Sequence, residues 1–255
     1  MTVEGIAVER TDAVLRITFN KPDRLNALTE EIINAGSDAV DAAAEDGTRV
    51  IVLTGAGRAF SSGADVGPDG AAPGFGTLDA ANRFTMTVTS SPVVVIAAVN
   101  GIAAGVGCSF ALAADLTIAK ESAAFMLAFT KIGLMPDGGA SLLVPAAVGR
   151  ARAARMALLA EKVPAVRAAE WGLIADVVAD DDFDAYVDGL VQQIAAGPPL
   201  ALAATKRTLN QATLAPLADI LAAERAGQGP LLESDDFAEG MAAFQNKRAA
   251  RFTGA

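Results

Sequence analysis

The sequence predicts an α/β protein, a layered βαβ core followed by a module made of helices. Two observations predict it: strand-length apolar runs alternate with helical stretches through the first half, and from Asp137 onward helical spacing dominates. The 255 residues suffice to bury a substantial core without a disulfide or metal to hold it.

Leu15, Ile17 and Phe19 recur at every second position, which marks a strand with one packed face, closed by Asn20-Lys21-Pro22-Asp23. Thr29 can cap a helix whose first turn carries Glu30 and Glu31, with Ile32, Ile33, Gly36, Val40 and Ala43 near helical spacing. Val50 to Leu53 and Val93 to Val99 are continuously apolar, as strands of a parallel sheet covered on both faces are. Leu116 to Ala119 is a further short strand. The glycine- and proline-rich stretch from Val66 to Gly76 reads as a loop near a ligand and a candidate lid. Beyond it, helices are predicted near 138–147, 150–160, 164–170, 183–195, 199–212, 216–228 and 233–250, with one strand at Ile174 to Val178. The parallel connections imply right-handed crossovers. We divide the chain into a core, residues 1–195, and a helical C-terminal module, residues 196–255.

Composition narrows the chemistry. A net charge of −10 argues against a nucleic-acid or anionic-membrane partner. The single cysteine, Cys108, forbids an intrachain disulfide, and the start at Met1-Thr2-Val3-Glu4 lacks a secretory pattern, so a cytoplasmic protein is expected. No charge occurs between Arg83 and Asp115, but Asn100-Gly101, Gly105 and Gly107 interrupt that run and make it a buried core stretch, not a membrane span. The absence of histidine excludes imidazole acid/base catalysis, Ser-His-Asp and Cys-His nucleophiles and HExxH zinc sites, and no metal site is expected. Acid/base work falls to carboxylates. Cys108 and Trp171 are read as core residues.

Dinucleotide and phosphate-loop patterns are incomplete: Gly105-Val106-Gly107 lacks its third glycine, and GxxxxGK does not occur. Two strand-to-turn segments of one style remain, Thr54 to Asp65 and Ala97 to Cys108. Their small residues let a ligand approach the main chain, and amides at a helix start carry partial positive charge. Each alone is an ordinary tight turn; two together can aim a pair of amides at one oxygen.

Phe60-Ser61-Ser62-Gly63-Ala64-Asp65 and Val99-Asn100-Gly101-Ile102-Ala103-Ala104-Gly105-Val106-Gly107 resemble the two signature segments of the crotonase (enoyl-CoA hydratase/isomerase) family. So do Arg24-Leu25-Asn26-Ala27-Leu28, Gly133-Leu134-Met135-Pro136-Asp137-Gly138-Gly139 and Glu239-Gly240-Met241-Ala242-Ala243-Phe244, in family order along nearly the whole chain. The resemblance implies a repeated ββα spiral core that binds an acyl-CoA thioester, a C-terminal trimerisation module, and a homotrimer or dimer of trimers. It implies no cofactor beyond the coenzyme A of the substrate itself. By position, Ala64 and Val106 would supply oxyanion-hole N–H groups; valine departs from the family's usual glycine. Arg24, Leu25, Ala27, Arg58, Ser62, Ala64, Asp65, Val66 and Gly105 would line the CoA channel. Phe129 would join them at the acyl group, with Phe244 and Lys247 near the C-terminus, Lys247 reaching a CoA phosphate from its own or a neighbouring subunit. Taken singly, Arg58 and Lys247 read as solvated surface charges, and Asp65 as a local cap; their place beside the motifs is what points to the ligand.

The family's hydratases resemble one another in using two glutamates, and the matching positions here hold Ser109 and Phe129. Neither side chain is a competent base. Asp137 resembles the single acid of the family's double-bond and ring-opening epoxide isomerases, and alternatively reads as a helix N-cap. The expectation is an enoyl-CoA isomerase using Asp137 as acid/base, with a hydratase of low activity or a non-catalytic acyl-CoA-binding protein as alternatives.

Overall fold

The computed structural model describes residues 3–67 and 72–255. β1 (Ile6–Thr11) and β2 (Val14–Phe19) form an antiparallel hairpin. α1 (Glu30–Ala43) begins where the Thr29 hydroxyl accepts a hydrogen bond from the Ile32 N–H at 3.4 Å, and it buries Ile32, Ile33, Gly36, Val40 and Ala43, the face its spacing predicts.

A strand-strand-helix unit then recurs. β3 (Val50–Gly55) leads to β4 (Ala59–Ser61) and α2 (Phe75–Ser90); β5 (Val94–Val99) leads to β6 (Ile102–Ala104) and α3 (Val106–Ala113). β7 (Leu116–Lys120) leads to β8 (Ala124–Met126) and, after a 3₁₀ turn at Ala128–Ile132, to α4 (Ala140–Leu159). β9 (Val163–Pro164), α5 (Ala165–Trp171), β10 (Asp176–Val178) and α6 (Phe183–Ala196) follow, and then α7 (Pro199–Thr213), α8 (Leu217–Leu232) and α9 (Asp235–Gln245). First strands of the units enter a six-stranded sheet of order β1-β2-β3-β5-β7-β10, parallel apart from the hairpin. Second strands enter a four-stranded sheet of order β4-β6-β8-β9. Stacking such units turns the chain into the spiral expected from the resemblance.

The large sheet is buried on both faces, which accounts for its uninterrupted apolar strands. Along β3, Ile51 and Leu53 join the main core with Phe19, Phe60, Phe84 and Phe110, while Val50 and Val52 pack with Ile96, Ile118 and the α6 residues Phe183, Val187 and Val191. Each such side chain contributes roughly 1.5–3 kcal/mol when fully buried. No helix among the described residues is long and apolar enough to cross a membrane. The uncharged run from 84 to 114 forms the second half of α2, then β5, β6 and α3.

Several elements differ from expectation. β1, β4, β6, β8, β9 and α2 were not anticipated: β1 is a largely exposed strand with no buried face to set an apolar alternation, β4, β6, β8 and β9 have only two or three residues each, and the threonines of α2 blur its helical pattern. The two helices expected at 138–147 and 150–160 are both present, as the two halves of α4 that meet at a kink where Gly149 is non-helical (φ 74°, ψ 164°). The late strand starts at Asp176. Residues 68–71 of the candidate lid lie outside the described residues, and Gly74 caps α2 directly after them. Cys108 is buried as expected, but Trp171 is half-buried at the edge of the core, with the Arg152 guanidinium 5.2 Å from its ring centroid.

α7 is tied to the core by one buried cation. Lys206 Nζ reaches Asp115 Oδ2 at 2.8 Å and donates to the carbonyls of Val88 and Val93 at 2.8 and 3.0 Å. Burial pushes Asp115 up and Lys206 down, each toward its neutral form against the pull of its partner. Lys206→Met is expected to lower the unfolding free energy by about 3–5 kcal/mol, read from the shift in urea midpoint, because it strands a buried carboxylate and two carbonyls.

Candidate active site

The site is assembled from turns that leave the ends of β3 and β5. Asn26 holds the first corner: buried in a left-handed conformation (φ 57°), it donates to the carbonyls of Ala56 and Ala59 at 2.9 and 2.7 Å and accepts from the Lys21 N–H at 2.9 Å. The segment Leu25 to Leu28 is thereby laid alongside Ser62 to Asp65, with Ser62 N donating to Leu25 O, Leu28 N to Gly63 O and Asp65 N to Leu28 O, all at 2.9 Å. The alternation of these bonds leaves the Ala64 N–H turned away from Leu28.

The second turn meets the first at its glycines. Gly63 (φ 93°) and Gly105 (φ 53°) have backbone conformations closed to most side chains, and a Cβ on Gly63 would stand 2.8 Å from the Ala104 carbonyl oxygen. Gly105 N donates to Met126 O at 2.9 Å, fixing the turn to β8. Val106 then opens α3, where the first N–H groups have no intrahelical acceptor. Among the described residues, neither the Ala64 nor the Val106 amide donates to a protein group.

Both residues border a cavity of about 830 Å³, a size suited to a small-molecule ligand. Every residue that the resemblance assigns to the acyl-CoA site lies on its wall. Arg24, Leu25, Ala27 and Arg58 come from the first corner and its neighbouring turn. Ser62, Ala64, Asp65 and Val66 come from the first signature segment, and Gly105 and Val106 from the second. Phe129, Asp137, Phe244 and Lys247 complete the set. Phe244 and Lys247 of the C-terminal region thus line the cavity of their own chain. Its buried surfaces include Leu78, Ala81, Val106, Phe129 and Leu134, and exposed Arg58, Lys131 and Lys247 bring positive charge to the rest.

Asp65 does not act as a helix cap. Its carboxylate pairs with Arg24 Nη2 at 2.9 Å and Lys21 Nζ at 3.2 Å and accepts from Gly67 N at 3.0 Å. Burial works to raise its pKa, yet the Gly67 amide and the two cations prevail and hold it below the usual aspartate value. Cys108 is unreactive here, its thiol pushed up to about 12 by burial.

Asp137 does not cap a helix either. α4 starts at Ala140, and its first amides are served from α8: Glu224, fully buried, accepts from Gly139 N and Ser141 N at 2.8 Å each. Asp137 instead borders the cavity. Its main-chain carbonyl accepts from the Ser109 hydroxyl at 2.8 Å, and its Oδ2 accepts from Gln228 Nε2 at 2.9 Å. Oδ1 is walled from solvent without a hydrogen-bond partner among the described residues. Burial raises the pKa, Gln228 lowers it and Glu224 raises it further, leaving Asp137 at about 7. A Cβ on the next residue, Gly138, would lie 3.2 Å from Val106 Cγ2, so the acid stands close to the second amide.

Gln228, Glu224 and Lys131 escaped sequence reasoning. Leu217, Leu221, Glu224 and Gln228 share the buried stripe of α8. Two polar residues continuing an apolar stripe at i, i+4, i+7 and i+11 are a signal that these positions carry specific contacts.

Comparison with known proteins matches residues 9–255 to the family model described as enoyl-CoA hydratase/isomerase. A Rhodobacter capsulatus protein named probable enoyl-CoA hydratase is 44% identical over 259 residues, covering 100% of each chain. The 1,2-epoxyphenylacetyl-CoA isomerase of Escherichia coli is 39% identical, covering 94% of this chain and 95% of its own. A crystal structure of an enoyl-CoA hydratase from Mycobacterium avium subsp. paratuberculosis superposes with a TM-score of 0.94 at 47% identity, covering 99% of this chain and 100% of that one.

Proposed function

Since this chain belongs to the enoyl-CoA hydratase/isomerase family, we propose that it shifts the double bond of an enoyl-CoA thioester, with Asp137 as the only acid/base. One observation carries the reading: Asp137, on the cavity wall and close to Val106, has a desolvated Oδ1 with no hydrogen-bond partner among the described residues and a pKa raised to about 7. The positions of the hydratase glutamates hold Ser109, whose hydroxyl is engaged with the Asp137 carbonyl, and Phe129. A second acid or base for delivering water is missing from both.

In this mechanism the amides of Ala64 and Val106 donate to the thioester oxygen. Asp137 Oδ1 removes a proton from C2 of a 3-enoyl-CoA. The electron pair of that C–H bond spreads over the thioester oxygen and the C3=C4 bond as a dienolate. The same oxygen returns the proton to C4 as the C2=C3 bond forms, so atoms and charge balance without water or a cofactor. Two amide donors stabilise the charge where it develops, and a single carboxylate suffices because the proton is only moved. The basic residues Arg58, Lys131 and Lys247 suit the phosphates of coenzyme A, and the apolar wall suits a hydrocarbon acyl group. The same reading assembles the chain as a homotrimer or dimer of trimers, which would cover the exposed Leu158, Leu159 and Leu200.

The test is incubation with 3-enoyl-CoA and 2-enoyl-CoA panels, following double-bond position and water addition by chromatography. Migration without hydration supports isomerisation; hydration without migration favours a hydratase, and binding without turnover a binding protein. The base must be ionised before it can act. kcat/KM for migration is therefore expected to fall about tenfold per pH unit below a pH of about 7 and to level off above it, as measured in a pH-rate profile.

A further inference from the structure

We infer that Gln228 is the positioning residue of this site: its side-chain amide, anchored on both main-chain polar groups of Met135, occupies Oδ2 of Asp137 and leaves Oδ1 as the oxygen that carries the proton. This inference rests on the proposed role of Asp137 and deepens it.

The orientation of the amide is fixed by its partners. Met135 N donates to Gln228 Oε1 at 3.0 Å, so the other end must be the NH₂ group, which donates to Met135 O and to Asp137 Oδ2 at 2.9 Å each. Gln228 is buried on α8, borders the cavity, and is bound to the residue two before the acid, so the turn and the carboxylate move with it as one unit. A carboxylate whose two oxygens were both open could pick up a proton on the oxygen facing away from substrate. With an N–H directed at Oδ2, the proton is confined to Oδ1. That restriction matters for a reaction in which one oxygen must take a proton at one carbon and return it at another.

The hydrogen bond also favours the ionised acid against its surroundings. Glu224 faces Asp137 from the same helix and opposes its ionisation. α3 carries no charge, and on α2 Asp79 is paired with Arg225 and Arg83 with Asp38 and Asp41. Across the cavity stand Arg24, Arg58, Asp65, Lys131 and Lys247. Gln228 is therefore the neutral contact that offsets burial and Glu224 at the acid.

The experiment follows the Asp137 carboxyl carbon by NMR in protein labelled with ¹³C at aspartate, assigned by its loss in Asp137→Asn, beside the pH-rate profile for 3-enoyl-CoA. In Gln228→Leu the titration midpoint is expected to rise by about one to two pH units, and the ascending limb of kcat/KM to move with it. Gln228→Glu retains an acceptor for Met135 N and sets a carboxylate beside Asp137; it is expected to raise the midpoint at least as far, and it carries the test if the leucine variant does not fold. A midpoint unmoved in the folded variants, or a midpoint that moves while the kinetic limb stays in place, overturns the inference. A fall in plateau rate with an unshifted limb would mark Gln228 as merely structural and equally overturns it. The role of Asp137 fails separately, if Asp137→Asn turns over 3-enoyl-CoA like the parent.

Discussion

Asp137→Asn is expected to lower double-bond migration by about 10²–10⁴-fold at alkaline pH while leaving the affinity for a saturated acyl-CoA within about threefold. The amide side chain is nearly isosteric and can still accept from Gln228 Nε2, so the cavity wall is preserved and the loss falls on proton transfer. Parent-like turnover would remove Asp137 from the mechanism. The same variant has a stability readout of opposite sign. The folded-state pKa of Asp137 is raised to about 7, so stability that is fully present below the ordinary aspartate pKa is lost as pH rises through about 7. Asparagine carries no such penalty. Asp137→Asn is expected to melt above the parent at alkaline pH, with the difference vanishing toward about pH 4, the ordinary aspartate range. Greater stability with lost activity is the signature of an acid held in an unfavourable place for a chemical purpose.

Val106→Pro tests the main-chain half of the mechanism. Val106 is the first residue of α3, where proline is tolerated because that N–H has no acceptor within the helix. The substitution deletes the N–H proposed to donate to the thioester oxygen and keeps the helix start. Migration is expected to fall by about 10²–10³ in kcat. Val106→Ala, which retains the N–H, is expected to stay within about tenfold of the parent, the remaining loss coming from thinner packing of the buried side chain at this position. Equal losses in the two variants would show that the side chain, not the amide, is what matters at this position, and circular dichroism would establish that α3 is retained in both.

How much was legible in the sequence depended on how local each feature is. The face of α1 was readable because Ile32, Ile33, Gly36, Val40 and Ala43 are brought together by the helix itself, and the Thr29 cap lies beside it. β5 was readable because burial on two faces leaves one unbroken apolar run. The turns at Gly63 and Gly105 were readable because a positive φ demands glycine wherever the rest of the chain goes. By contrast, α2 was hidden by its threonines, although Thr77, Leu78 and Ala81 line the cavity.

Asp137 marks the boundary between the two kinds of information. In sequence, an aspartate between proline and two glycines ahead of a helix reads by itself as a cap, and as a catalytic acid once the family resemblance is added. In the fold, Glu224 serves the α4 amides in its place, and Gln228, 91 positions away, takes one of its oxygens. The sequence by itself determined the alternating core, the late helices, the backbone turns and the shortlist of chemistry left to a chain without histidine. The tertiary structure decided which buried carboxylate keeps an oxygen without a hydrogen-bond partner among the described residues and which helix holds it there. Periodicity and turn chemistry are short-range properties of a chain, whereas desolvation and hydrogen-bond pairing between distant segments exist only once those segments have packed together.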